Sequence, residues 1–244
     1  MGIVKFNGTT TKDLGLIVQF VPSYKTAEKV YNSVNIPGRN GELIIGKGSY
    51  QNVERSYSFA KVYRIGQDLP LSASAIMAWL NSADGYARLE DSYEPEYYRM
   101  AIYKDEGELY DYYNTATTLD VTFICKPERW LKSGEYEQQI QSGTQLYNPT
   151  AFKAKPIIKF TTKPNLQTII NIGDITITVK SLPVAKNIIV DCENYECYSD
   201  NNELLNSQLV LNSGAFPYLE GSCGTTITYS NADNFSIQPR WWTL

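Results

Sequence analysis

The sequence predicts a mainly β protein of two domains: a β-rich N-terminal domain carrying one helix and a long hairpin, then a C-terminal β-sandwich. Short apolar–polar alternations recur along the 244 residues, and nineteen tyrosines accompany frequent Val, Ile and Thr; these residue types suit a pleated, half-buried surface. A single stretch has helical spacing. Near residue 133 the composition turns to Ser, Gly and Gln, and beyond it the pattern is purely β. The expected domains are 1–132 and 150–244, with 133–149 as a linker.

Taken in order, 3–6 and 14–20 are expected strands on either side of a turn at Thr9–Asp13. In the second, Leu14, Leu16, Val18 and Phe20 form the apolar face. Val30, Asn32, Val34 and Ile36 alternate over 29–36. The glycine-rich stretch Pro37-Gly38-Arg39-Asn40-Gly41 then bends the chain into a second long strand, 42–63, where Val53, Tyr57, Phe59 and Tyr63 share one side, with Arg55 and Lys61 near the ends. Such a hairpin could project from a body. In 72–81, Ala73, Ile76, Met77 and Leu80 fall at i, i+3, i+4 and i+7, with Ser72 as a possible cap, Pro70 stopping the strand before and Gly85 ending the turn after. Residues 86–113 hold eight tyrosines and, from Glu90 to Asp111, eight carboxylates. They form either an acidic, aromatic contact surface, with Tyr97, Tyr98, Tyr110 and Tyr112 as contact candidates, or wet-faced strands around a solvated 104–108 turn. Leu119, Val121, Phe123 and Cys125 alternate as a half-buried strand, closed by 126–130. In the second domain, strands are expected at 157–162, 187–192, 207–212, 224–229 and 234–242. Ile170-Asn-Ile172 and Ile175–Val179 make a hairpin about Gly173-Asp174.

Composition removes several function classes. Net charge is −4, with 15 basic and 16 acidic side chains in 1–132 and 7 and 10 beyond. Neither half has the basic excess that a nucleic-acid surface needs. No apolar run approaches membrane-spanning length. The N-terminus lacks a secretory pattern, and Phe6 stands where myristoylation after Gly2 would need Ser or Thr. With no histidine, the usual general base, metal ligand and triad base are missing. Cys125, Cys192, Cys197 and Cys223 form no CxxC; Cys192 and Cys197 flank a possible hairpin tip and could pair, or all four could be reduced thiols. No cofactor or metal site is expected.

Gly41–Ser49 approaches the phosphate-loop pattern, but Gly48 occupies the hydroxyl position and no helix follows to meet a phosphate. Carboxylate pairs in 90–111 cannot be assigned a catalytic separation from sequence. Tyr218, Tyr229, Trp241 and Trp242 could stack on sugar rings or seal a sandwich core.

The motifs together resemble the distal tail protein (Dit) family, siphovirus tail components of phages and prophages of Gram-positive bacteria. The residues that carry the resemblance are Phe6-Asn-Gly8, Asp13-Leu-Gly-Leu16, Ile36-Pro-Gly-Arg-Asn-Gly41 and Trp79-Leu80 ahead of Gly85 and Leu89. Phe123-Ile-Cys-Lys-Pro127, Asn148-Pro149, Lys155-Pro156-Ile157, Ile189-Val-Asp191 and Phe216–Gly221 follow, so that the match spans the chain in order. Asn40 replaces the family's frequent Asp. The resemblance implies a non-enzymatic virion protein made in the host cytoplasm. It implies a homohexameric ring of N-terminal domains at the tail tip with outward galectin-like sandwiches. The implied partners are the tail tube protein, a tail-associated tip or lysin-bearing protein and receptor-binding proteins; DNA would pass through without specific binding, and no membrane is involved. It also implies that the turn Pro37–Gly41 belongs to an intersubunit hairpin. The alternative is a carbohydrate-binding module in host attachment, with Trp241 and Trp242 as stacking residues. Larger members carry inserted carbohydrate modules, for which this chain has no room.

Overall fold

The computed structural model describes residues 2–62, 69–104, 109–112 and 116–244, with the backbone alone for 69–72 and 109–112. It divides into two compact units, 1–129 with Leu244, and 130–243.

The first unit is built on an antiparallel sheet. Its strands are β1 (Val4–Phe6), β2 (Thr9–Thr10) and β3 (Ile17–Val18), then, after a hairpin β4 (Lys29–Asn35) and β5 (Glu42–Tyr50), β6 (Val53–Val62). The helix α1 (Leu69–Leu80) precedes β7 (Ala87–Asp91), β8 (Tyr97–Tyr103), β9 (Leu109–Tyr112) and β10 (Ala116–Leu131). The order is β2-β1-β7-β8-β10-β6-β3, with β9 also on β10. Period-2 alternation drives the inner face: Leu119, Val121, Phe123 and Cys125 of β10 are fully buried and pair in register with Phe59 through Val53 of β6. The helix covers this face with Ile76, Trp79 and Leu80. Trp79 meets Phe6 and Phe59 edge-on and donates its indole N–H to the Phe6 carbonyl at 3.1 Å, so its polar atom is satisfied in the core.

Several expectations are corrected. The turn expected at Thr9–Asp13 lies at 11–15, and a separate turn at Asn7-Gly8, both at positive φ (46° and 88°), precedes it, because an Asn-Gly pair fits a tight hairpin turn and frees Thr9-Thr10 to pair back on β1. The 14–20 strand shrinks to Ile17–Val18, and Phe20 points into solvent. The strand expected at 42–63 is two, interrupted at Gln51-Asn52: among the described residues β5 pairs with β4 alone, whereas β6 enters the large sheet. Tyr63 lies outside the described residues, as do residues 105–108 of the expected turn. The helix starts at Leu69, so Pro70 sits in its first turn, where a missing N–H costs nothing, and Ser72 is too far in to be the cap. Residues 126–130 do not close β10, which runs on through Pro127 to Leu131.

The second unit is a sandwich of two five-stranded antiparallel sheets. Its strands are β11 (Gln138–Gln139), β12 (Thr144–Tyr147), β13 (Ile157–Thr162), β14 (Thr168–Ile172), β15 (Ile175–Val179), β16 (Asn187–Asp191), β17 (Glu196–Ser199), β18 (Leu209–Leu211), β19 (Gly224–Ser230) and β20 (Ala232–Gln238). The orders are β11-β20-β13-β16-β17 and β12-β19-β14-β15-β18. Ile158 and Phe160 from one sheet meet Ile170, Ile172 and Ile177 from the other in the shared core. The stretch 133–149, expected as a linker, instead carries β11 and β12, which pair with β20 and β19. Their Gln and Thr residues suit half-exposed edges and mask the strand pattern in sequence.

Candidate assembly interface

The hairpin β4–β5 forms a two-stranded sheet of its own. Its turn follows from local chemistry: Pro37 presets φ at the second position, Gly38 supplies φ +79° at the third, and the Arg39 N–H donates to the Ile36 carbonyl at 3.1 Å. Gly41 repeats φ +79° where β5 begins. A Cβ on either glycine would meet open space, so the constraint there is backbone angle alone. Register pairs Asn35 with Glu42, Val34 with Leu43, Ser33 with Ile44, Asn32 with Ile45 and Tyr31 with Gly46, and then slips before Lys29 and Tyr50; Gly48 (φ +71°) lies in the slip. Alternation therefore places Val34, Leu43 and Ile45 on one face, and Tyr31 and Ile44 on the other.

None of these five joins either core. Their exposure runs from 38% at Leu43 to 55% at Ile44. A lone two-stranded hairpin is marginally stable in water. Completing the burial of these side chains would be worth about 1 kcal/mol each. The arrangement is suited to being covered by another surface, and nothing in it presents a reacting group.

The hairpin's root is fastened to the first unit's core by charge. Gln51 N–H donates to Glu28 O at 2.8 Å, and Lys25 pairs with Glu54 at 2.6 Å. Deeper, the Arg55 guanidinium donates to Ser23 O (3.1 Å), lies over the Tyr24 ring (4.7 Å) and pairs with Asp91 (2.9 Å) and Glu94 (3.3 Å). Arg99 and Arg129 also pair with Glu94, and the Tyr57 hydroxyl donates to Asp91 at 2.7 Å. Burial alone would raise the Asp91 carboxyl, but hydrogen bonds from Tyr57 and Arg55 outweigh it and hold it below the ordinary range. Its stabilising contribution is complete above its unfolded value and drains away as pH falls through the lowered one. The sequence held a sign of this cluster: Arg55 has the parity of the inward-facing Val53, Tyr57 and Phe59, so it must point into the core rather than sit near a strand end.

Other sequence candidates are dispersed. Tyr97 and Tyr98 are half-buried beneath Arg129 (5.0 Å) and Arg88 (3.8 Å), not free contacts. Tyr110 and Tyr112 lie on β9, with side chains outside the described residues. Asp91 and Glu94, counted toward an acidic surface, are internal counterions. Trp241 is a core residue, and Trp242 stacks on Phe152 (4.5 Å) with its indole N–H on Lys153 O. Tyr229 stacks on Phe235 at 4.1 Å. Packing leaves Trp241 no exposed face for a sugar ring, whereas Trp242 is half-buried with one face on Phe152. Cys192 and Cys197 flank the β16–β17 turn as buried free thiols, as are Cys125 and the exposed Cys223 in being unpaired. Burial pushes Cys125 and Cys197 up to about 11, away from thiolate chemistry. Among the described residues no cluster of Cys, Asp and Glu is arranged to hold a metal ion, and no helix is long and apolar enough to cross a membrane.

No protein-family model matches the sequence, and no curated protein does. Solved structures do share its fold. The Dit protein of phage SPP1, described as a paradigm of the hub of the adsorption apparatus in phages infecting Gram-positive bacteria, superposes with a TM-score of 0.79 over 100% of both chains at 15% identity. The baseplate of phage p2 in its activated conformation matches at TM-score 0.51 with strontium and 0.50 with calcium, each at 10% identity over 97% of both chains. The fold that the sequence motifs resemble is the fold observed.

Proposed function

We propose that this chain is a structural hub at the distal end of a phage tail, closing into a hexameric ring through its first unit. The observation that carries the reading is the end-to-end fold match to the SPP1 hub protein. The β4–β5 hairpin supports it independently: an apolar, solvent-facing element with a preset turn is what a head-to-tail ring contact requires, since each subunit must offer one surface and receive another. In this reading the turn Pro37–Gly41 lies in the intersubunit contact, with Arg39 at its apex. The ring sits between the tail tube protein and a tip or lysin-bearing protein, and receptor-binding proteins dock outside. DNA passes through the lumen, and a mildly acidic first unit (14 basic, 16 acidic residues) avoids the phosphate contacts that would retard it. No catalysis is assigned, and the virion tail is the place of action.

Native mass spectrometry and light scattering test this directly. A hexamer is expected, reduced to smaller species by Arg39→Ala and by Ile44→Ser with Ile45→Ser. A chain that remains monomeric at micromolar concentration with its tube and tip proteins present would overturn the ring.

A further inference from the structure

The sandwich carries a built cleft that the hub role does not use. It occupies about 560 Å³ and is lined by Lys155, Tyr195, Leu211, Phe216 and Tyr218 among others. A second cleft of about 340 Å³, bearing Asp174, Glu220, Thr225 and Thr226, shares Tyr218 as a wall. Tyr218, whose ring carries the Lys153 ammonium at 3.9 Å, is the residue the two clefts have in common.

The aromatic wall is held at a cost. Tyr195 has φ +60°, a backbone angle at which glycine or asparagine is at home and a bulky aromatic is unusual. The residue is nonetheless 56% exposed, so core packing does not account for it. The turn that imposes the angle is clamped by buried Asp191. That carboxylate accepts the Glu193 N–H (2.9 Å), the Asn194 N–H (3.2 Å), the Asn194 amide (2.9 Å) and Arg240 (2.6 Å). Tyr195 then meets Phe216 edge-on at 5.4 Å, and its hydroxyl accepts from Lys155 Nζ at 3.0 Å, while Glu193 lies 3.6 Å from the same ammonium. Strain retained in an exposed aromatic marks a position kept for contact.

From this we infer that the cleft binds a neutral oligosaccharide. Aromatic faces take the C–H face of a pyranose, and a half-exposed Lys155–Glu193 pair offers a donor and an acceptor side by side, as vicinal hydroxyls require. Hydroxyls and carboxylates continue along the second cleft. Charge argues against an anionic polymer: Lys155 is paired with Glu193 and Lys153 with Glu220, and Asp174 adds a further negative charge in the second cleft. The inference stands whether or not the chain forms a ring.

The test uses the full chain on an array of neutral glycans alongside polyglycerol phosphate, followed by calorimetric titration of the best neutral binder. Saturable binding to a neutral glycan is expected, weakened at least tenfold by Tyr195→Asn and by Tyr218→Ala and unchanged by Tyr147→Ala, an exposed tyrosine outside both clefts. Asn tolerates the backbone angle, so Tyr195→Asn should keep or raise the melting temperature while losing affinity. The inference is overturned by an array on which no neutral glycan binds, or by binding to polyglycerol phosphate alone. Affinity that survives Tyr195→Asn would overturn it as well, showing the ring to be a packing element.

Discussion

The β4–β5 and β14–β15 hairpins each join two Ile- and Val-bearing strands through a turn with glycine at positive φ, +79° at Gly38 and Gly41 and +57° at Gly173. In β14–β15 the inward residues Ile170, Ile172, Ile177 and Val179 are almost wholly buried, and the burial pattern alternates strictly on both strands. In β4–β5 almost every residue is exposed. The difference lies in the period. Alternation satisfies one covered face, whereas the consecutive run Leu43-Ile44-Ile45 places apolar groups on both faces of a strand, as in strands covered on both sides. The β14–β15 hairpin is complete within its unit; the β4–β5 hairpin still has two faces to cover.

Four substitutions break or sharpen that contrast. The largest effect is expected from Arg55→Ala: it leaves Asp91 and Glu94 buried with less compensation and frees Ser23 and Tyr24 at the hairpin's root, costing the first unit about 3–5 kcal/mol in denaturant unfolding. Ile177→Ala should cost the sandwich about 2–5 kcal/mol, by lost transfer energy and the cavity left behind, read as a lower melting transition for that unit. Gly38→Val forces a β-branched residue to φ +79°. A local cost of about 1–2 kcal/mol should appear as faster amide exchange confined to the hairpin and as lost assembly, with the sandwich transition unmoved. Smallest is Ile45→Ser, expected to shift monomer stability by about 0.5 kcal/mol or less while weakening self-association. Were Ile45→Ser instead to cost as much as Ile177→Ala, the hairpin would be packed within its own subunit and the contrast would vanish.

The sandwich was the more legible part of the sequence because its strands have one wet and one dry face: 157–162 and 175–179 are observed at those bounds. The edges were not. β11 and β12 carry Gln and Thr, and β17 hid behind the Cys192–Cys197 turn, because edge strands half in water lose the apolar alternation that marks a strand. The turn Pro37–Gly41 was readable from its glycines, since φ is set locally. The break between β5 and β6 was not, because strand pairing depends on partners far away in the chain. The Arg55 cluster was obscured by the habit of placing charge outside; parity pointed inward. Tyr195 carried no sequence sign, since its significance is a backbone angle imposed by Asp191 and Arg240.

The order of strands also sets a schedule for synthesis. Among the described residues, the buried core of the first unit is drawn from Val4 to Cys125, so it can close while the remainder is still being translated. The sandwich cannot. β20, residues 232–238, lies between β11 and β13 in its sheet, and Trp241 is part of the core. Until those residues leave the ribosome, β11 has no neighbour and β13 has one open edge. The second unit must wait as an incomplete sheet, exposed to premature pairing with other nascent chains, and a polysome crowded with identical copies is where that hazard would be greatest.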